Sequence, residues 1–164
     1  MSVGTSAGVS VRRARPGDVA AMLALIVALA VYEREPDAVH ATETSLHATL
    51  FGADAQVFAH VAVLEETVVG VAVWFQTYST WTGRPSLYLE DLFVADAARG
   101  TGVGKALFRA LAQEAAARNC ARIDWAVLDW NATAAGFYAA LGARPASGWQ
   151  PWRLEGAALA ALAT

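Results

Sequence analysis

Residues 9–15 (VSVRRAR) alternate apolar and charged positions, the two-residue period of a strand buried on one face. Pro16-Gly17-Asp18 interrupts the alternation and places Asp18 as the N-cap of a helix through about residue 33. Met22, Leu25, Ile26 and Leu29 recur in that helix at the spacing of one face. Thr42 and Glu43 open a second, shorter helix to about Phe51, and Gly52 ends it. Residues 57–64 and 68–77 predict two strands joined by Glu65-Glu66-Thr67 as a hairpin. A Gly-Arg-Pro turn at 83–85 precedes a further strand, SLYLEDLFV, at 86–94.

Past a short loop, a glycine-rich entry leads into a long helix whose apolar stripe is Leu107, Phe108, Leu111, Ala112 and Ala115. Residues 122–128 predict a strand, 131–141 a capped helix ending at Gly142, and 149–154 a last strand before an Ala/Leu-rich helical turn. The order βααβββαβαβ predicts a mixed α/β sheet with helices on both faces. The strand–helix–strand unit from 86 to 128 makes its two strands parallel, through a right-handed crossover. No internal repeat and no dividing linker is present, so residues 1–164 are read as one domain.

Composition narrows the class. The chain is 56% hydrophobic and 16% charged, and alanine accounts for much of the apolar excess. No apolar run reaches the length of a membrane span. The N-terminal stretch places small and polar residues before its arginines, the reverse of a signal peptide. A single cysteine, Cys120, excludes an internal disulfide and the common zinc spacings. These features predict a cytoplasmic protein without a metal. The formal charge of −3 and the lack of a Lys/Arg block supply no basic field for nucleic acid.

The most informative stretch is Arg99-Gly100-Thr101-Gly102-Val103-Gly104, which follows a strand and opens a helix. The unpaired N–H groups and positive dipole end at a helix start make a ready anion site. Arg99 adds a forked donor. A Walker loop needs four residues between its first Gly and the Gly-Lys pair, then Ser or Thr; here three intervene and Ala106 follows. A dinucleotide loop finds a candidate acidic partner in Asp124, but its glycines begin as the first strand ends, whereas Ala95–Arg99 intervene here.

Besides a glycine turn that merely starts a helix, a third phosphate reading is the diphosphate of coenzyme A, and a family resemblance carries it. RGTGVG fits the R/Q-x-x-G-x-G/A signature of the GNAT acetyltransferase superfamily, which the chain resembles. LYLEDLFV before the loop and WNATAAGFYAALGA at 130–143 fall at that family's order and spacing, and together resemble its spermidine/spermine (diamine) N-acetyltransferase branch. The resemblance spans about residues 9–154. It implies a mostly antiparallel mixed sheet with a central parallel βαβ splay, and acetyl-CoA as co-substrate. It also implies a homodimer, with the last strand and its aromatic residues at the interface. The segment TYSTWTGRPSLYLED departs from the animal enzymes by one extra residue before the strand, and the acidic run after Tyr32 is shorter.

Acetyl transfer to an amine needs a group to take the amine proton and one to protonate the departing thiolate. Two adjacent carboxylates in an apolar strand are unusual, because buried charge is costly unless paired or used. Strict alternation sets Tyr88, Glu90, Leu92 and Val94 on one face and Leu89, Asp91 and Phe93 on the other. Glu90 is the candidate base, with burial raising its pKa, and it matches the branch's base. Asp91 either forms an ion pair or holds a substrate ammonium. Tyr138 matches the family's general acid. The resemblance places the cofactor on Leu92, Phe93, Val94, Arg99, Gly100, Thr101, Gly102, Val103, Gly104 and Lys105, with Asn131 and Tyr138. Asn131 also caps its helix.

Tyr32, Glu33, Trp81, Glu90 and Asp91 are the candidate lining for a cationic small-molecule substrate, the aromatics through cation–π contacts. Glu33 and Glu35 read equally well as solvated helix-end charges. His40, His47 and His60 show no ligand spacing and are assigned structural roles, as is Cys120. The sequence thus predicts an acetyl-CoA-dependent N-acetyltransferase acting on a polyamine, diamine or lysine-like amine in a ternary complex. A different amine, or a sensor module that binds acyl-CoA without turnover, are the alternatives.

Overall fold

The computed structural model describes residues 8–163. The N-terminal residues read above for a signal peptide lie mostly outside this range. Two compact units make up the chain, the first running to Leu128 and the second beginning at Asp129. In the first unit β1 (Ser10–Arg13), β2 (Val57–Leu64), β3 (Thr67–Ser79), β4 (Arg84–Val94) and β5 (Ile123–Asp124) form one sheet in sequence order. The first three pairings are antiparallel and β4–β5 is parallel. The helices of this unit are α1 (Val19–Tyr32), α2 (Glu43–Phe51) and α3 (Val103–Ala117).

The alternation of the strands sorts their side chains into two layers. Val61, Val71, Val73 and Phe93 pack with Met22 and Leu25 of α1 and Leu46 and Leu50 of α2. Ala62, Ala72, Trp74, Leu87 and Leu89 pack with Leu107, Leu111 and Ala115 of α3. Helices therefore cover both faces, as the element order predicts. Thr42 caps α2 as anticipated, its Oγ1 accepting from the Ser45 N–H at 3.1 Å. Asp18 does not cap α1 with its side chain. Its carboxylate instead takes the Arg15 N–H at 2.7 Å and the Arg12 guanidinium at 2.6 Å, and Arg12 holds it below the usual carboxylate range.

His60 is structural. It is buried, accepts the Trp74 indole N–H on Nδ1 at 3.1 Å, and faces Glu114 at 3.7 Å through Nε2. Burial pushes its pKa below the ordinary value, with Arg13 adding to the effect and Glu114 opposing it. Arg13 and Arg118, both paired with Glu114, stack over Phe58 and Trp74.

Three differences from the sequence reading concern strand ends. Arg84 and Pro85 belong to β4 rather than to the turn, opposite Ser79 and Tyr78. The strand predicted over 122–128 pairs only at Ile123 and Asp124, because the chain leaves β4 immediately afterwards. The strand predicted over 149–154 is absent: the second unit holds α4 (Ala132–Ala140) and α5 (Gly156–Leu162), with no strand among its described residues. Pro151 cannot donate to a ladder, and Gly148 turns the chain at a positive φ of 86°.

One glycine docks α3. A Cβ on Gly70 of β3 would stand 3.1 Å from Val103 and Leu107 of the helix's first turns and 3.3 Å from Ala62. Gly70→Val is expected to overpack this contact and cost about 1–3 kcal/mol of stability. Thermal melting checks it; an unchanged melting temperature would contradict the account.

Candidate active site

The link from β4 to α3 is a single 3-10 turn (Asp96–Ala98) followed by Arg99–Gly102. Gly100 and Gly102 take φ values of 75° and 87°, which only glycine adopts freely. A Cβ at either would meet nothing within 4 Å, so conformation and not crowding demands glycine here. Gly102 is the N-cap of α3 and supplies no side-chain cap, leaving the first-turn N–H groups of Val103, Gly104 and Lys105 to look outward for acceptors. The Thr101 hydroxyl donates to the Ala98 carbonyl at 2.6 Å and braces the loop. Donors, dipole and open space fit a diphosphate.

β4 supplies two further features. Its parallel partner accompanies it only at Leu87 and Tyr88, so on that side Leu89–Val94 have no strand neighbour among the described residues. The exposed ladder edge offers backbone donors and acceptors to an extended ligand. On its other side the register with β3 slips: Val73 faces Asp91 while Trp74 faces Leu89, and Glu90 is the extra residue of a bulge.

The bulge corrects the facing expected from strict alternation. Leu89 joins Leu92 and Val94 on the α3 side, whereas Asp91 and Phe93 turn toward α1. It also inverts the expected burial of the carboxylates. Glu90 is exposed, and Asp91 is half-buried. Burial pushes the Asp91 carboxyl up to about 6, with the negative charges of Glu90 and Glu33 adding to the shift. Burial also raises Glu33, which lies at the end of α1. Three carboxyls from two elements thus act on one another in one region.

Arg99 joins that region to the loop. Its guanidinium lies 5.0 Å from the Tyr32 ring and 5.1 Å from the Phe93 ring. Its Nε donates to the Val94 carbonyl at 3.1 Å, and it pairs with Asp96 at 3.2 Å. The contact of the Phe93 ring with Arg99 was not anticipated from the sequence. Trp81 is 87% exposed in the turn between β3 and β4. Asn131 and Tyr138 belong to the second unit. The Asn131 Oδ1 accepts the Ala134 N–H at 3.1 Å and caps α4, and the Tyr138 ring meets Phe137 edge-on at 5.3 Å.

The half-buried carboxyl makes a measurable claim. A folded-state pKa raised above the ordinary value means stability is fully present near pH 4 and falls as pH rises through about 6. Asp91→Asn should therefore stabilise the fold above pH 6, by on the order of 2 kcal/mol, with little difference near pH 4. Thermal melts across that range check it, and a pH-independent difference would count against the burial described.

Comparison with known proteins agrees with this geometry. The profile of the acetyltransferase (GNAT) family matches residues 21–143. A thialysine N-epsilon-acetyltransferase of Sus scrofa is 38% identical over 170 aligned residues, covering 96% of this chain and 98% of the relative. A spermidine/spermine N(1)-acetyltransferase-like protein of Homo sapiens is 32% identical over 88% of this chain and 22% of its own length. Among solved structures, an integron cassette protein of V. cholerae aligns with a TM-score of 0.79 and 30% identity, over 98% of this chain and 99% of its own. The chain is a member of the GNAT acetyltransferase family, an enzyme of acetyl transfer.

Proposed function

We propose that this acetyltransferase moves the acetyl group of acetyl-CoA to a primary amine on a small cationic molecule of the diamine or lysine-like class. The observation that carries the reading is the convergence on β4: a bulge with two carboxylates, an unpaired strand edge, and a glycine loop opening α3 all lie within residues 89–104. The thialysine and polyamine relatives support the amine class. The family profile runs through both compact units, which supports treating them as one catalytic domain.

The α3 start and the loop from Arg99 to Lys105 hold the diphosphate, and Leu92–Val94 hold the pantetheine arm along the open edge of β4. The thioester supplies an acyl carbon that a neutral amine attacks: the C–N bond forms, the C–S bond breaks, and two protons must be moved. An alkylamine arrives mostly protonated near pH 7. Asp91 and Glu33 receive the ammonium, with Tyr32 and Trp81 against its alkyl chain. Glu90, exposed beside them, takes the proton through water, and its solvent contact suits that route. Tyr138 returns a proton to the departing thiolate, and Asn131 assists at the cofactor.

The finer setting belongs to the same proposal. Among the described residues no helix is long and apolar enough to cross a membrane. The lone free thiol of Cys120 supports a reducing, cytoplasmic location. Trp149, Trp152, Leu154, Leu159 and Leu162 are exposed in the second unit and support a homodimer contact, without the strand once expected there.

Thiol release at fixed acetyl-CoA, followed with a panel of diamines, polyamines and lysine analogues, tests the function. Turnover with a small cationic amine is expected; CoA binding without turnover by any amine would favour a sensor instead. Glu90→Gln and Tyr138→Phe should each lower kcat by about tenfold to a thousandfold and leave CoA affinity within about twofold. Unchanged turnover in both variants would remove this catalytic pair.

A further inference from the structure

The two ends of the proposed site come from distant parts of the chain. The amine end rests on the last turn of α1, where Tyr32 adjoins Glu33, and on Asp91 of β4. The diphosphate end is the loop after Arg99, which turns through two left-handed glycines, Gly100 and Gly102. The side chain of Arg99 reaches α1 at the Tyr32 ring and β4 at the Phe93 ring and the Val94 carbonyl, so it links the start of that loop to both elements. It spans the Tyr32 and Phe93 rings at 5.0 and 5.1 Å, while Nε is held by the Val94 carbonyl and an outer nitrogen by Asp96. Each aromatic ring is tied to a carboxyl of the amine end. Tyr32 precedes Glu33 in the chain, and Phe93 shares the α1-facing side of β4 with Asp91.

We infer that Arg99 is a positioning residue: its guanidinium, layered on Tyr32 and Phe93, couples the amine end of the site to the diphosphate loop. This rests on the function proposed above. A planar guanidinium suits the task, since it can stack on rings through its face while its edge donates hydrogen bonds. Lysine retains the charge but offers neither the planar stack nor the Nε donor. The arrangement also implies reciprocity. If the strut couples the two ends, bound amine must change CoA affinity by the same factor as bound CoA changes amine affinity, and breaking the strut at either Tyr32 or Arg99 must weaken that coupling.

The test is calorimetric titration of CoA into the wild type, Tyr32→Leu, Tyr32→Phe, Arg99→Lys and the double variant Tyr32→Leu/Arg99→Lys. Tyr32→Leu should weaken CoA binding about fivefold, the scale of one ring–cation contact, while Tyr32→Phe keeps wild-type affinity. The double variant should bind no more than about twofold worse than Arg99→Lys alone, because the two changes break one link. In steady state, Arg99→Lys should raise the KM for thialysine, used as the amine probe, by a similar factor. That KM readout and the phenylalanine rescue separate coupling from a general loss of fold. CoA affinity unchanged in Tyr32→Leu, or losses that multiply in the double variant, would overturn the strut while the glycine-loop reading stands. A wild type that binds no CoA would overturn both.

Discussion

A helix whose first-turn N–H groups receive no side-chain cap needs acceptors from elsewhere, and the start of α3 is such a helix. Much of the first unit serves to hold that turn in place. Gly70 lets it sit directly on β3, Val103 and Leu107 anchor it in the core beneath Trp74, and the Thr101 hydroxyl closes the loop behind it. The loop then keeps its two left-handed glycines over open space. A strand edge left unpaired beyond Tyr88 runs toward the same turn. Backbone geometry, more than any side chain, therefore defines where an anionic, extended ligand can lie.

The bulge at Glu90 divides labour between two neighbouring carboxyls. Without it, alternation would place Asp91 on the side of Leu89, among the residues packed on α3. With it, Asp91 turns toward α1 and into the influence of Glu33, where burial raises its pKa to about 6, and Glu90 remains in contact with water. A single inserted residue thus yields a half-buried carboxyl of raised pKa beside an open one. This pairing of unlike environments is what acid–base chemistry on a cation needs.

The elements bounded by strong local signals were legible in the sequence. The helical stripe through Met22 and Leu25, the Thr42 cap and the Gly102 entry all lie where their patterns place them. What escaped were features decided by pairing between distant segments. The slip opposite Val73 and Trp74 leaves no mark within LYLEDLFV itself, so Leu89 was wrongly placed on the face of Asp91 and Phe93. The strand expected over 149–154 has no ladder partner among the described residues, and Pro151 lacks the N–H a ladder needs. The Arg99 stack joins residues sixty-seven positions apart, at 32 and 99, which no local pattern reports.

The proposed function has the start of α3 hold a diphosphate. Titrating the protein separately with 4′-phosphopantetheine and with pantetheine, which differ only in a phosphate and both lack the adenosine, puts that claim to the most direct test. The phosphorylated arm should bind at least about tenfold more tightly, since charge-assisted bonds to backbone N–H groups at a helix start favour it. Equal affinities for the two would contradict it.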